Sequence, residues 1–129
     1  MNQPCISHEV RLTIPADVAY APVASLALSG LGMVMGLDVD LLGDLRTVTT
    51  EAIDCLLHQA GRPERISLSA YEQEGRLIVQ FAAVERERVC EQDDLALEIT
   101  RGVLETLMPE VRLDTDENGV HGIECSMPV

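Results

Sequence analysis

The sequence contains no lysine, and its cations apart from histidine are nine arginines set against 22 aspartates and glutamates, for a net charge of −13 over 129 residues. Neutralising phosphates requires clustered cations, so nucleic-acid binding is not expected. No stretch approaches the ~18 apolar residues of a membrane span, and the opening MNQPCISHEV lacks the basic start and apolar run of a secretion signal. The expected setting is the cytoplasm, without membrane contact. No CxxC pair occurs either. Cys5, Cys55, Cys90 and Cys125 are scattered, which argues for reduced, structural thiols. A zinc site would draw on Cys55 and His58, three residues apart, but the second close ligand pair of most structural zinc sites is missing, and no metal is expected.

What is present is 47% apolar, enough for one compact domain over residues 1–129. Acid is concentrated late in the chain. Between Glu85 and Glu117, eleven carboxylates face Arg86, Arg88, Arg101 and Arg112, a local net of −7. This stretch reads either as a solvated surface or as a face that steers a basic partner protein.

The central stretch is Asp40 to Ala60, DLLGDLRTVTTEAIDCLLHQA. Leu41, Leu45, Val48, Ala52 and Leu56 repeat at helical spacing for a core, while Glu51, Cys55 and His58 lie at i, i+4 and i+7, on or beside one stripe with Asp54. Asp38 or Asp40 caps this helix, and Gly61 and Pro63 end it. Before it, HEVRLTI (His8 to Ile14) alternates as a half-buried strand. A small-residue helix then runs from Asp17 to about Met35, with Val23, Leu26, Ala27, Gly30, Leu31 and Val34 on one side and Gly36 closing it. Met33 and Met35 are either core fill or part of an adaptable docking surface.

After the long helix, Arg65 to Tyr71 and Arg76 to Ala83 read as strands of an antiparallel hairpin turning at Glu72 to Gly75. Glu85 to Asp94 is a charged loop. Leu95 to Met108 has Leu95, Ile99, Gly102, Val103 and Leu107 at helical spacing, and Pro109 stops it. Val111 to Asp114 and Val120 to Cys125 form a last hairpin about Asn118-Gly119. His8 and His121 fall in strands with surface placement, and Asp54 four before His58 suggests a local ion pair. The order implies an α+β two-layer sandwich, a mixed, mostly antiparallel sheet with helices on one face burying these apolar stripes.

Several segments, RLTIPAD, GLDVDLLGDLRTVTTEAIDCLLHQA, EGRLIVQF, LETLMPEVRL and NGVHGIE, taken in this order, resemble the ATP-binding domain of the GHKL superfamily. Within it the chain resembles the RsbW-type anti-sigma factors and serine-protein kinases of bacteria, over roughly Val10 to Met127. The resemblance implies a histidine-kinase-like ATPase fold, with ATP and magnesium as cofactors if the site is active. In active relatives the long helix carries Glu-x-x-x-Asn, the Glu activating water or a hydroxyl and the Asn holding magnesium. Glu51 matches the Glu. The Asn position falls on Cys55, a poor ligand for a hard cation, and Asp54 offers an oxygen one residue early, turned ~100° from the stripe.

The family's Asp-x-Gly-x-Gly has no counterpart in Phe81 to Arg88, and no glycine lies between Gly75 and Gly102. Later phosphate-side glycines align near Glu98 and Thr100, and the closing Gly-Thr reads Gly119-Val120. Glu51, Asp54 and Cys55 thus mark the position of a degenerate ATP–magnesium site, with Glu51 a vestigial candidate catalyst and no cofactor expected. The leading expectation is a non-catalytic regulatory domain that controls transcription by binding a sigma factor or an anti-sigma antagonist. The alternatives are an ATP-dependent serine kinase acting on that antagonist and a scaffold subunit that has lost both activities. The resemblance also implies a homodimer.

Overall fold

The computed structural model of the chain describes residues 8–59, 61–84, 87–88, 94–107, 110–116 and 119–129. In chain order the elements are β1 (Val10–Pro15), a 3-10 turn at Val18–Tyr20, α1 (Ala21–Val34), α2 (Val39–Leu57), β2 (Gly61–Arg62), β3 (Arg65–Gln73), β4 (Arg76–Val84), β5 (Glu87–Arg88), α3 (Asp94–Leu107), β6 (Glu110–Asp116) and β7 (Gly119–Pro128). The architecture is α+β, with a five-stranded sheet ordered β1-β3-β4-β7-β6 and a separate β2-β5 ladder.

The number of intervening helices sets strand direction. Two helices separate β1 from β3, so the chain re-enters the sheet at the end it left and β3 runs antiparallel to β1. One helix separates β4 from β6, which therefore run the same way, and β7 lies between them, antiparallel to both. The mixed sheet expected from sequence is corrected: among the described strands every paired neighbour is antiparallel.

The β3–β4 hairpin forms where alternation placed it. Its turn is tighter than the four residues expected, because Gln73 pairs with Arg76 and leaves Glu74 and Gly75 alone in the loop. Both have positive φ, 53° and 74°, the requirement of a two-residue turn whose twist matches the strands. In the last hairpin Asp116 pairs with Gly119, so Gly119 opens β7 with φ 100°, and the loop residues 117–118 lie outside the described residues. The register slips between Asp114 and Thr115, leaving His121 as the extra residue of a bulge on β7.

The helices cover one face of the sheet. α2 lies between α1 and α3 and rests on β4 and β7, α1 packs over β1, and α3 packs over β6. Leu68, Val79, Phe81 and Ile123 from the sheet meet Leu28, Leu45, Ile53, Leu56 and Leu104 from the helices, all essentially inaccessible. Each such side chain stabilises the fold by roughly 1.5–3 kcal/mol relative to exposure.

Asp38 caps α2, its carboxylate accepting from the Leu41 amide at 2.8 Å, and Asp40 sits in the first turn, where the helix dipole favours an acid. The helix stops at Leu57, short of the expected Ala60. Gln59 is drawn into the interior instead, and Ala60 lies outside the described residues. Asp17 caps the short 3-10 turn through the Ala19 amide, and α1 itself starts at Ala21 with Pro22 in its first turn. Gly36, at φ 79°, ends α1: its amide donates to the Met33 carbonyl at 3.1 Å and the Leu37 amide to the Gly32 carbonyl at 2.9 Å, the paired bonds of a Schellman stop.

Two helix faces differ from expectation. α1 buries Ala21, Ala24, Ser25, Leu28 and Gly32, whereas Val23, Leu26, Gly30 and Val34 of the expected stripe are exposed. The reason is packing distance: a Cβ on Gly32 would come within 2.6 Å of the Leu42 side chain, so α1 turns its smallest residues toward α2. In α3, Ile99 is exposed and Leu104 carries the core contact; the side chains of Leu95 and Leu107 lie outside the described residues. Of the expected loop Glu85 to Asp94, Glu87–Arg88 instead pairs with Gly61–Arg62 and Asp94 begins α3, while the remainder lies outside the described residues.

Candidate functional site

The stripe on α2 does not stay on one surface. Cys55 is buried in the core, Glu51 is half-buried, and Asp54 and His58 point to solvent. His58 Nδ1 lies 3.3 Å from an Asp54 carboxylate oxygen and 2.7 Å from the Asp54 carbonyl oxygen. This is the local pair expected from the i, i+4 spacing, and with both partners exposed it contributes about 0–1 kcal/mol.

Burial, then the neighbouring Asp54 carboxylate, pushes the Cys55 thiol up to about 11. Near neutral pH the group is therefore a protonated thiol. It offers neither the oxygen donor that magnesium demands nor a thiolate for a softer metal. With Asp54 turned outward onto His58, the Glu51–Asp54–Cys55 set does not fit a magnesium ion. Among the described residues no group of three or more His, Cys, Asp or Glu is arranged to hold a metal. Cys125 is likewise buried and free, its thiol pushed up to about 12 by burial; Cys5 and Cys90 lie outside the described residues. The segment 89–93, part of the expected charged loop Glu85 to Asp94, is also outside them.

Gln59, which sequence reasoning missed, is the polar residue that ties this end of α2 to the sheet. Its Nε2 donates to the Cys55 carbonyl at 2.9 Å, and its Oε1 accepts from the Val120 amide at 2.9 Å. Satisfying a buried amide at both ends avoids a cost of about 1–3 kcal/mol for each orphaned group. The Val120 partner is 61 positions away, so no local spacing reveals it.

The sheet face away from the helices is polar. Register aligns Arg11, Ser69, Gln80, Glu124 and Arg112 in one row across all five strands. Ser69 donates to Gln80 at 3.2 Å, Gln80 to Glu124 at 2.7 Å, and Arg112 lies 3.7 Å from Glu124 and 3.4 Å from Asp114. A second chain runs from Arg76 to Ser126 at 2.9 Å and from Ser126 to Glu110 at 3.2 Å. An open groove of ≈ 620 Å³ is lined by Glu105, Glu110, Val111, Arg112, Glu124 and Ser126. Its single lining arginine, Arg112, is already paired with Glu124 and Asp114 and is outnumbered by Glu105, Glu110 and Glu124, so the groove is an open, acidic surface.

The helix layer carries the contrasting surface. Val23 (46% exposed), Leu26 (71%), Met33 (69%) and Val34 (84%) lie along the outer side of α1, continued by Val39 (83%) at the start of α2. Met35, by contrast, packs against the core. A run of exposed large apolar side chains marks an interaction surface where scattered single ones would not. The available sequence signal was the absence of charge over residues 18–37, not the helical period, which cannot choose a face on a helix apolar all round.

No protein-family model matches the chain, and no curated protein matches it. Among the described residues no helix is long and apolar enough to cross a membrane.

Proposed function

We propose that the chain is a non-catalytic regulatory protein-binding domain with a histidine-kinase-like ATPase (GHKL) fold, related to the RsbW-type anti-sigma factors. In this reading it acts in the cytoplasm and controls transcription by binding a sigma factor or exchanging with an anti-sigma antagonist. The observation that carries the binding role is the exposed apolar side of α1. The order strand, helix, helix, hairpin, helix, hairpin, with all three helices on one face, supports the fold assignment.

The non-catalytic part rests on the centre of α2. Glu51 stands at the family's catalytic position, but its companion Cys55 is a buried, protonated thiol where an Asn would hold magnesium. The alternative, an ATP-dependent serine kinase with Glu51 as base, gains no support from that pair. Affinity purification of the full chain from its source organism is expected to recover a sigma factor or an antagonist-type protein in stoichiometric amount. Recovery of neither overturns the assignment.

A further inference from the structure

We infer that the outer side of α1 is the docking site for an amphipathic helix of the partner, apolar along one stripe and flanked by arginine or lysine. The inference rests on the protein-binding role proposed above and adds where the partner sits and what its surface carries.

Val23, Leu26, Gly30, Met33 and Val34 are spaced i, i+3, i+7, i+10 and i+11, which places them on one side of the helix. All are exposed. Gly30 has open space where a side chain would stand, so the ridge is notched between Leu26 and Met33. A notched apolar ridge receives a helix presenting anchors at i, i+3 or i+4, and i+7.

Charge selects the kind of helix. From Leu12 to Leu45 the chain carries Asp17, Asp38, Asp40 and Asp44 and no Lys, Arg or His. Asp17 precedes α1, whereas Asp38 and Asp40 follow its C-terminal end, and all three are exposed. There the negative end of α1 meets the positive end of α2, so the two dipoles offset and the exposed carboxylates set the sign of the potential. The apolar strip is therefore closed at both ends by acid, which a basic-flanked helix complements and an acidic one does not. A second copy would bring the same aspartates and the same net charge of −13 against an isologous contact. Anionic lipid meets the same repulsion.

The test is a titration of the isotope-labelled full chain, followed by its amide resonances, with two designed helical peptides. One has leucines on one side and lysines on the other; in its counterpart every lysine is glutamate. The lysine peptide is expected to produce saturable shifts over residues 18–40. The glutamate peptide is expected to produce none, and Leu26→Gln with Met33→Gln is expected to weaken the lysine peptide at least about tenfold (~1.4 kcal/mol) while leaving the folded spectrum intact.

Shifts centred elsewhere, equal binding of both peptides, or unchanged binding to the variant overturns the inference. Concentration-dependent shifts of residues 18–40 without peptide assign the face to a second copy, and binding to phosphatidylglycerol vesicles assigns it to lipid; either also overturns it. The two proposals fail separately. Recovery of a sigma factor equally by the wild type and the Gln variant removes the α1 site and leaves the regulatory role standing.

Discussion

Cys55, which falls at the metal-ligand position of the proposed family, is part of the core. Its thiol is held up to about 11, and that of Cys125 up to about 12, by burial first and then by nearby carboxylates. Unfolding returns both to an ordinary value of about 8.5. Between roughly pH 8.5 and 11 the unfolded chain releases protons that the folded chain keeps, so stability is full below that window and falls as pH rises, by about 1.4 kcal/mol per pH unit for each thiol. Urea midpoints measured from pH 8 to pH 10.5 are expected to decline, and Cys55→Ala is expected to flatten the decline whatever it costs at pH 8. An unchanged slope in the variant would contradict the burial account. At this scale the sequence was legible where partners are local: Asp54 and His58 pair across one helical turn, and Asp38 caps α2. Cys55 could be assigned a position in the pattern but not an environment, because its burial depends on elements far away in the chain.

Among the elements, the strands were the most legible. Alternation in Arg65–Gln73 and Arg76–Val84 points Ile66, Leu68, Ala70, Leu77, Val79 and Phe81 to the buried face, and Gly75 permits the turn. The face of α1 was missed because apolar residues surround that helix and leave periodicity without a polar side to contrast. What turned α1 was Gly32, whose missing side chain admits Leu42 and Leu37. The length of α2 was overestimated because Gln59 leaves the helix to meet Val120. Gln59→Leu approximately keeps the volume and removes the hydrogen bonds to Cys55 and Val120, orphaning the buried Val120 amide, so a loss of about 1–3 kcal/mol is expected in urea unfolding. Faster hydrogen exchange at Val120 than at the core amide of Val79 would locate that loss at the joint between α2 and β7. An unchanged Val120 exchange rate would show that the joint does not depend on the Gln59 amide.

Across the whole molecule, one side of the sheet is covered by helices and the other by a ladder of paired polar residues. The element order allowed that two-layer arrangement to be read from the sequence. The sheet order was not, since the insertion of β7 between β4 and β6 depends on contacts more than 40 residues apart. The strongly acidic charge was plain from composition, but its meeting with an uncharged, exposed helix required the fold. That meeting leaves an exposed apolar side on α1 between carboxylates, on which the proposed binding role rests, while Cys55 at the centre of α2 is part of the core. Calorimetry of the full chain with ATP and magnesium tests this division most directly. The account predicts no saturable heat at millimolar nucleotide, and saturable magnesium-dependent binding that Glu51→Gln or Cys55→Ala alters would contradict it.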